Sequence, residues 1–126
     1  SKNITFDPSS GVPYGVNLTI YGGSDFETTF NVTNNANTAF DLTNYSGSAA
    51  ISKSVAVGAT LGITTAFTVG ITSAVEGKIK ISLGSTSTRS LDQGRYMFDV
   101  IVSSGSTLYT IANGNIMVVP AVSAAP

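Results

Sequence analysis

The chain has 126 residues, 42% of them apolar and only 10% charged, with a formal net charge of -1 and neither cysteine nor histidine. A typical domain carries about 25% charged residues, so the surface here must be dressed in Ser, Thr, Asn and Gly, and charge repulsion does little to keep copies apart. Without cysteine there are no disulfides or thiolate metal sites, and without histidine the usual general base is missing.

The length suits one domain that buries roughly two-thirds of its unfolded surface. Six basic residues, Lys2, Lys53, Lys78, Lys80, Arg89 and Arg95, stand singly. Phosphate affinity needs a cluster, so no nucleic-acid partner is expected. No apolar run approaches the roughly 18 residues of a membrane span, so no membrane partner is expected either.

Taken in order, residues 3–6 alternate briefly, with Ile4 and Phe6 on one side, before Asp7-Pro8-Ser9-Ser10-Gly11-Val12-Pro13 stops any regular element. Residues 1–14 read as an arm, at most an edge strand, that takes its order from what it touches. A sandwich is then expected over 15–120 and a short tail over 121–126. Period-two alternation predicts strands at 16–20 and 26–32, a weaker one at 45–54, and others at 63–71, 78–83 and 95–102. A last strand over 107–119 is expected to bulge or bend at Asn113-Gly114-Asn115. Residues 55–62 lack periodicity and read as a loop or a short edge strand, and the polar stretch 85–93 fits one helical turn. In Asp41-Leu42-Thr43, the Asp and Thr are natural side-chain-to-backbone cappers while Leu42 points inward. About seven strands without an amphipathic helix predict an all-β, antiparallel β-sandwich with extended arms at both ends.

The run Asp92-x-Gly94-x-Tyr96-x-Phe98 resembles the Asp-x-Gly-x-Tyr-x-Cys entry to strand F of immunoglobulin domains, with Phe98 in the place of the second cysteine. The resemblance implies an Ig-like sandwich and a tyrosine corner, in which the Tyr96 hydroxyl bonds back to upstream backbone. An ordinary core aromatic is the other reading of Tyr96.

A wider resemblance spans residues 16–122. It rests on Asn17-Leu18-Thr19-Ile20-Tyr21-Gly22-Gly23-Ser24-Asp25-Phe26, Phe40-Asp41-Leu42-Thr43-Asn44-Tyr45, Gly94-Arg95-Tyr96-Met97-Phe98-Asp99-Val100 and Gly114-Asn115-Ile116-Met117-Val118-Val119-Pro120. In these the chain is similar to small tailed-phage virion proteins of the cyanophage type, themselves similar to the N-terminal module of phage baseplate upper proteins. Asn44 replaces the Gly that usually follows Asp-Leu-Thr, and the long receptor-proximal extension is absent. The resemblance implies a structural protein of the virion that docks onto major capsid, neck or baseplate proteins, or onto a second copy of itself, with no cofactor. The residues expected to make those contacts are Ile4, Phe6, Pro8, Pro13 and Tyr14 on the arm, Tyr21 and Tyr109 on the sandwich, and Val122 on the tail.

Seven acids, Asp7, Asp25, Glu27, Asp41, Glu76, Asp92 and Asp99, fall mostly at turns, where capping explains them. A glycosidase pair would need two of them converging in a groove, so no enzyme is expected. Calcium held by Asp25 and Asp41 is a weaker option, since no spaced oxygen-ligand loop is present. The triplets at Asn3, Asn17, Asn31 and Asn44 fit the glycosylation pattern, and chance accounts for them in a chain this rich in Asn, Ser and Thr. The rival functional class is a carbohydrate- or cell-surface-binding module, for which Tyr14, Tyr21, Tyr45 and Tyr109 supply aromatics.

Overall fold

The computed structural model describes residues 2–53 and 65–119. They form two mixed sheets packed face to face, an all-β sandwich. Sheet one runs β1 (Lys2–Thr5), β4 (Phe26–Thr33), β8 (Lys78–Leu83), β7 (Thr68–Ser73) from edge to edge. Sheet two runs β2 (Tyr14–Gly15), β10 (Thr107–Val119), β9 (Gly94–Ser104), β5 (Ser46–Lys53), β6 (Thr65–Ala66), and β3 (Leu18–Tyr21) also pairs with β10. The segment 55–62, the tail 121–126 and Val122 lie outside the described residues.

Alternation decides which side chains meet between the sheets. Ile79, Ile81 and Leu83 of β8 and Tyr96, Phe98, Val100 and Val102 of β9 are all buried, while Lys78, Lys80, Arg95 and Met97 point the other way. Each fully buried Ile, Val or Phe contributes about 1.5–3 kcal/mol relative to exposure.

Residues 2–14 are not a free arm: the edge strand expected as the alternative is β1, at the edge of sheet one. Ile4 and Phe6 are fully buried, and β1 pairs in parallel with β4 in the register Ile4↔Val32. Phe6 N–H donates to the Thr33 carbonyl at 2.9 Å, and its ring sits 5.3 Å from Tyr109 and 6.1 Å from Phe40. Two large apolar side chains outweigh the short length of the strand, so Ile4 and Phe6 are core and not available to a partner, and the sandwich begins at β1. The Pro-rich loop then crosses to the opposite sheet, where β2 and β3 lie parallel to β10. One N-terminal segment thus closes the same side of both sheets, and these three parallel pairings correct the expectation of an antiparallel sandwich.

The strand expected over 63–71 is two. Thr65 and Ala66 pair with β5 in sheet two, whereas Thr68 onward pairs with β8 in sheet one. The crossing is at Phe67, which is buried and donates its N–H to Ala49 at 2.9 Å.

The irregularity in β10 falls between Thr110 and Ala112, not at 113–115. Ile111 and Ala112 are buried consecutively, so the inward positions change from odd numbers to even ones at that point. Gly114 serves a different need. Its φ is 152°, and a Cβ there would lie 1.8 Å from the Val16 carbonyl oxygen, where the chain passes from β2 to β3. Only glycine lets the two backbones approach this closely.

The crossover into β9 is held from two sides. The Tyr96 hydroxyl donates to the Asp92 carbonyl at 2.7 Å, and the Lys53 ammonium lies 4.8 Å from the centre of the Tyr96 ring. Upstream, the helical turn α1 (Ser85–Arg89) buries Thr88 completely. Its Oγ1 lies 2.8 Å from the Ser24 carbonyl oxygen and accepts from Gly23 N–H at 3.1 Å, while Asp25 accepts from Ser85 N–H at 2.8 Å. Thr88 therefore ties this crossover to the turn before β4.

Two outcomes are expected in urea denaturation. Phe6→Ala lowers stability by about 3–5 kcal/mol, as for other buried Phe truncations; a loss near zero would restore the arm as a separate element. Tyr96→Phe keeps the ring and lowers stability by about 1 kcal/mol through the lost hydroxyl bond, with an unchanged midpoint ruling out the corner as a stabilising contact.

Candidate functional site

The two outward faces of the sandwich differ in chemistry. On sheet one several outward side chains pair with one another across strands, although among the described residues Lys78 does not. Lys80 lies 3.7 Å from Glu27, the Asn31 amide donates to Asn3 at 3.0 Å, and the Thr5 and Thr33 hydroxyls are 3.4 Å apart. Apart from these pairs the face shows small polar residues such as Thr29, Thr68 and Ser82.

Sheet two turns apolar groups outward. Leu108, Tyr21, Met97 and Met117 are 62%, 61%, 43% and 42% exposed, the majority of the large exposed hydrophobic side chains among the described residues. Met97 also lines a groove of about 590 Å³ on this face. Its floor follows the ladder of β5, β9 and β10: Ser52, Met97 and Asn115 in one row, Ala50, Asp99 and Asn113 in the next, Ser48, Ile101 and Thr110 in the third.

Asp99 is the charged residue in this lining. It is half-buried at the centre of the face and has no hydrogen bond or ion pair among the described residues. Burial pushes its carboxyl above the ordinary carboxylate value of 3.8. The folded chain therefore holds the Asp99 proton more tightly than the unfolded one, and ionising it at neutral pH costs stability.

The residues singled out from sequence distribute as follows. Asp92, Gly94, Tyr96 and Phe98 form the entry to β9, with Tyr96 and Phe98 buried. Asp41 accepts from the Thr43 hydroxyl and N–H, which hold its carboxyl below the ordinary range, and Leu42 is buried. Asn44 has φ of 70°, in the left-handed region that asparagine tolerates better than most residues. Asp41 is used in a local turn and Asp25 in a long-range bond from Ser85 N–H, and no group of three metal-ligating side chains occurs among the described residues.

The expected contact residues do not form one surface. Ile4 and Phe6 are core, and Tyr109 is half-buried, its ring 5.3 Å from Phe6 and 6.4 Å from Tyr45. Pro8 and Tyr14 are exposed, Pro13 is half-buried, and Tyr21 alone joins the apolar face of sheet two. Tyr45 and Tyr109 are thus taken into an internal cluster, which leaves Tyr14 and Tyr21 facing solvent at opposite ends of the pairing with β10. Sequence reasoning missed Met97, Met117 and Asp99 as site residues. The signal was present in the alternation, where two methionines occupy outward positions of β9 and β10 among Arg, Asp, Asn and Thr.

No protein-family model matches the chain, and no curated protein matches it at a significant level. Fold and face together define the class: a small β-sandwich with one cross-paired face and one face open to contact.

Asp99→Asn is expected to be more stable than the parent at neutral pH. The difference should shrink as pH falls through the raised pKa and vanish once the carboxyl is protonated in both folded and unfolded chains. Paired thermal melts across that range check it, and equal melting temperatures at neutral pH would show that the buried charge costs nothing.

Proposed function

We propose that this chain is a non-enzymatic structural protein of a phage-type virion, an Ig-like module that docks onto larger particle proteins through the outer face of sheet two. The observation that carries the reading is the contrast between the two outward faces. Met97, Met117 and Tyr21 are exposed as diagonal neighbours on one sheet, with Leu108 exposed further along β10, while Lys80 with Glu27 and Asn31 with Asn3 pair across the other. Contiguous exposed apolar side chains with a polar surround mark contact surfaces.

Three further features support it. The strand orders β4-β8-β7 and β10-β9-β5 correspond to the B-E-D and G-F-C orders of an immunoglobulin-type sandwich, and the Tyr96 bond has the geometry of its tyrosine corner. A coat with only 10% charged residues loses little solvation when a partner covers it. The virion setting and the capsid, neck or baseplate partners rest on the resemblance of the motifs around Asp25, Asp41 and Gly94. The missing histidine and cysteine favour a role without catalysis.

The reading is tested in phage particles carrying this protein. It should be present in purified virions at a fixed copy number, with cryo-EM density placing sheet two against a neighbouring protein. The double variant Met97→Asp, Met117→Lys should fold with an unchanged circular dichroism spectrum yet be depleted at least tenfold from particles. Absence of the protein from purified virions, or full incorporation of the variant, overturns the proposal.

A further inference from the structure

The groove on sheet two has a charge requirement as well as a shape. Asp99 sits at its centre between Ala50 and Asn113, both uncharged, in the cross-strand register. The nearest outward cation on the same strand is Arg95, four residues away and so about 13 Å along the backbone. On the neighbouring strands the outward side chains of the groove are Ser, Ala, Asn and Thr, so no cation among the described lining residues balances Asp99. A half-buried carboxylate without a partner is a standing cost that an incoming cation relieves.

We infer that the occupant of this groove is an arginine side chain of the partner protein, paired with Asp99. The inference rests on the outer face of sheet two being the contact face. Three observations select arginine among cations. Met97 and Ile101 flank Asp99 along β9 and offer apolar surface to a weakly hydrated, flat guanidinium and its methylene stem, a poorer match for a compact, strongly hydrated ammonium. Asn113 and Asn115 line the same groove and supply side-chain carbonyls for the N–H groups that a carboxylate alone leaves unpaired. A calcium ion would demand six to eight oxygen ligands, and the lining offers one carboxylate. The groove volume of about 590 Å³ leaves room for the residues on either side of the arginine.

The test uses the whole chain and two small probes, N-acetyl-arginine methylamide and its citrulline counterpart, which has a similar shape without the charge. In 15N-labelled protein the arginine probe should shift the amides of Met97, Asp99, Ile101 and Asn113, with citrulline and the Asp99→Asn variant each weakening the response at least tenfold. Added salt should weaken it as well. No shift, equal shifts from both probes, or a response confined to another part of the sandwich overturns the inference, as would calcium chloride reproducing the shifts where arginine does not. Particle incorporation separates this failure from that of the functional reading. If Met97→Asp, Met117→Lys blocks incorporation while Asp99→Asn incorporates fully, the contact face stands and the arginine pairing is wrong. If Asp99→Asn is depleted together with the double variant, both stand.

Discussion

The strand that the molecule depends on is β9, held by hydrogen bonds to β10 on one side and β5 on the other. Because successive side chains of a strand point to opposite faces, its even-numbered residues from Tyr96 to Val102 fill the space between the sheets and its odd-numbered ones from Met97 to Ile101 build the floor of the groove. Core and contact face are therefore not independent. A one-residue slip of β9 against its neighbours would put Met97 and Asp99 inside and Phe98 and Val100 in water. The Tyr96 bond to Asp92 and the Thr88 anchor at the preceding crossover fix the point from which this alternation is counted.

The low charge of the chain has different consequences on the two faces. On sheet one Lys80 pairs with Glu27 and Asn31 with Asn3 across strands, which leaves few groups for a partner to satisfy. On sheet two, methionine and tyrosine project beside small polar residues, and the central charge has no internal neighbour to answer it. Methionine suits such a face, since its flexible thioether can adapt to more than one shape. The same residues at inward positions would be ordinary core.

Strands with clean alternation were legible at once. The span 78–83 is β8 itself, and β9 differs from its expected span only at the ends. What alternation does not encode is the neighbour. Residues 63–71 keep one rhythm while the chain changes sheets at Phe67, and Lys2–Thr5 is too short to declare itself without the pocket that Ile4 and Phe6 fill. The bulge at Ile111 was masked because Ile111 and Ala112 are both apolar, so nothing in composition marks which of them is the extra residue. The contact face was half legible. Met97 and Met117 were visible at outward positions of the alternation, but Asp99 becomes distinctive only when β5 and β10 are seen to bring it neither a cation nor a hydrogen bond.

The pairing of β10 with β2 and β3 has a consequence in time. The strands at one end of the chain find their partner at the other, Leu18 against Ile116 and Tyr21 against Val119. On a ribosome the early strands emerge long before β10 exists, and loop closure over such a distance is slow. Throughout that interval the apolar side chains of β3 stay open to solvent and to other nascent chains. Among the described strands β10 is the one that commits the sandwich, and the chain before it is made is at its most aggregation-prone.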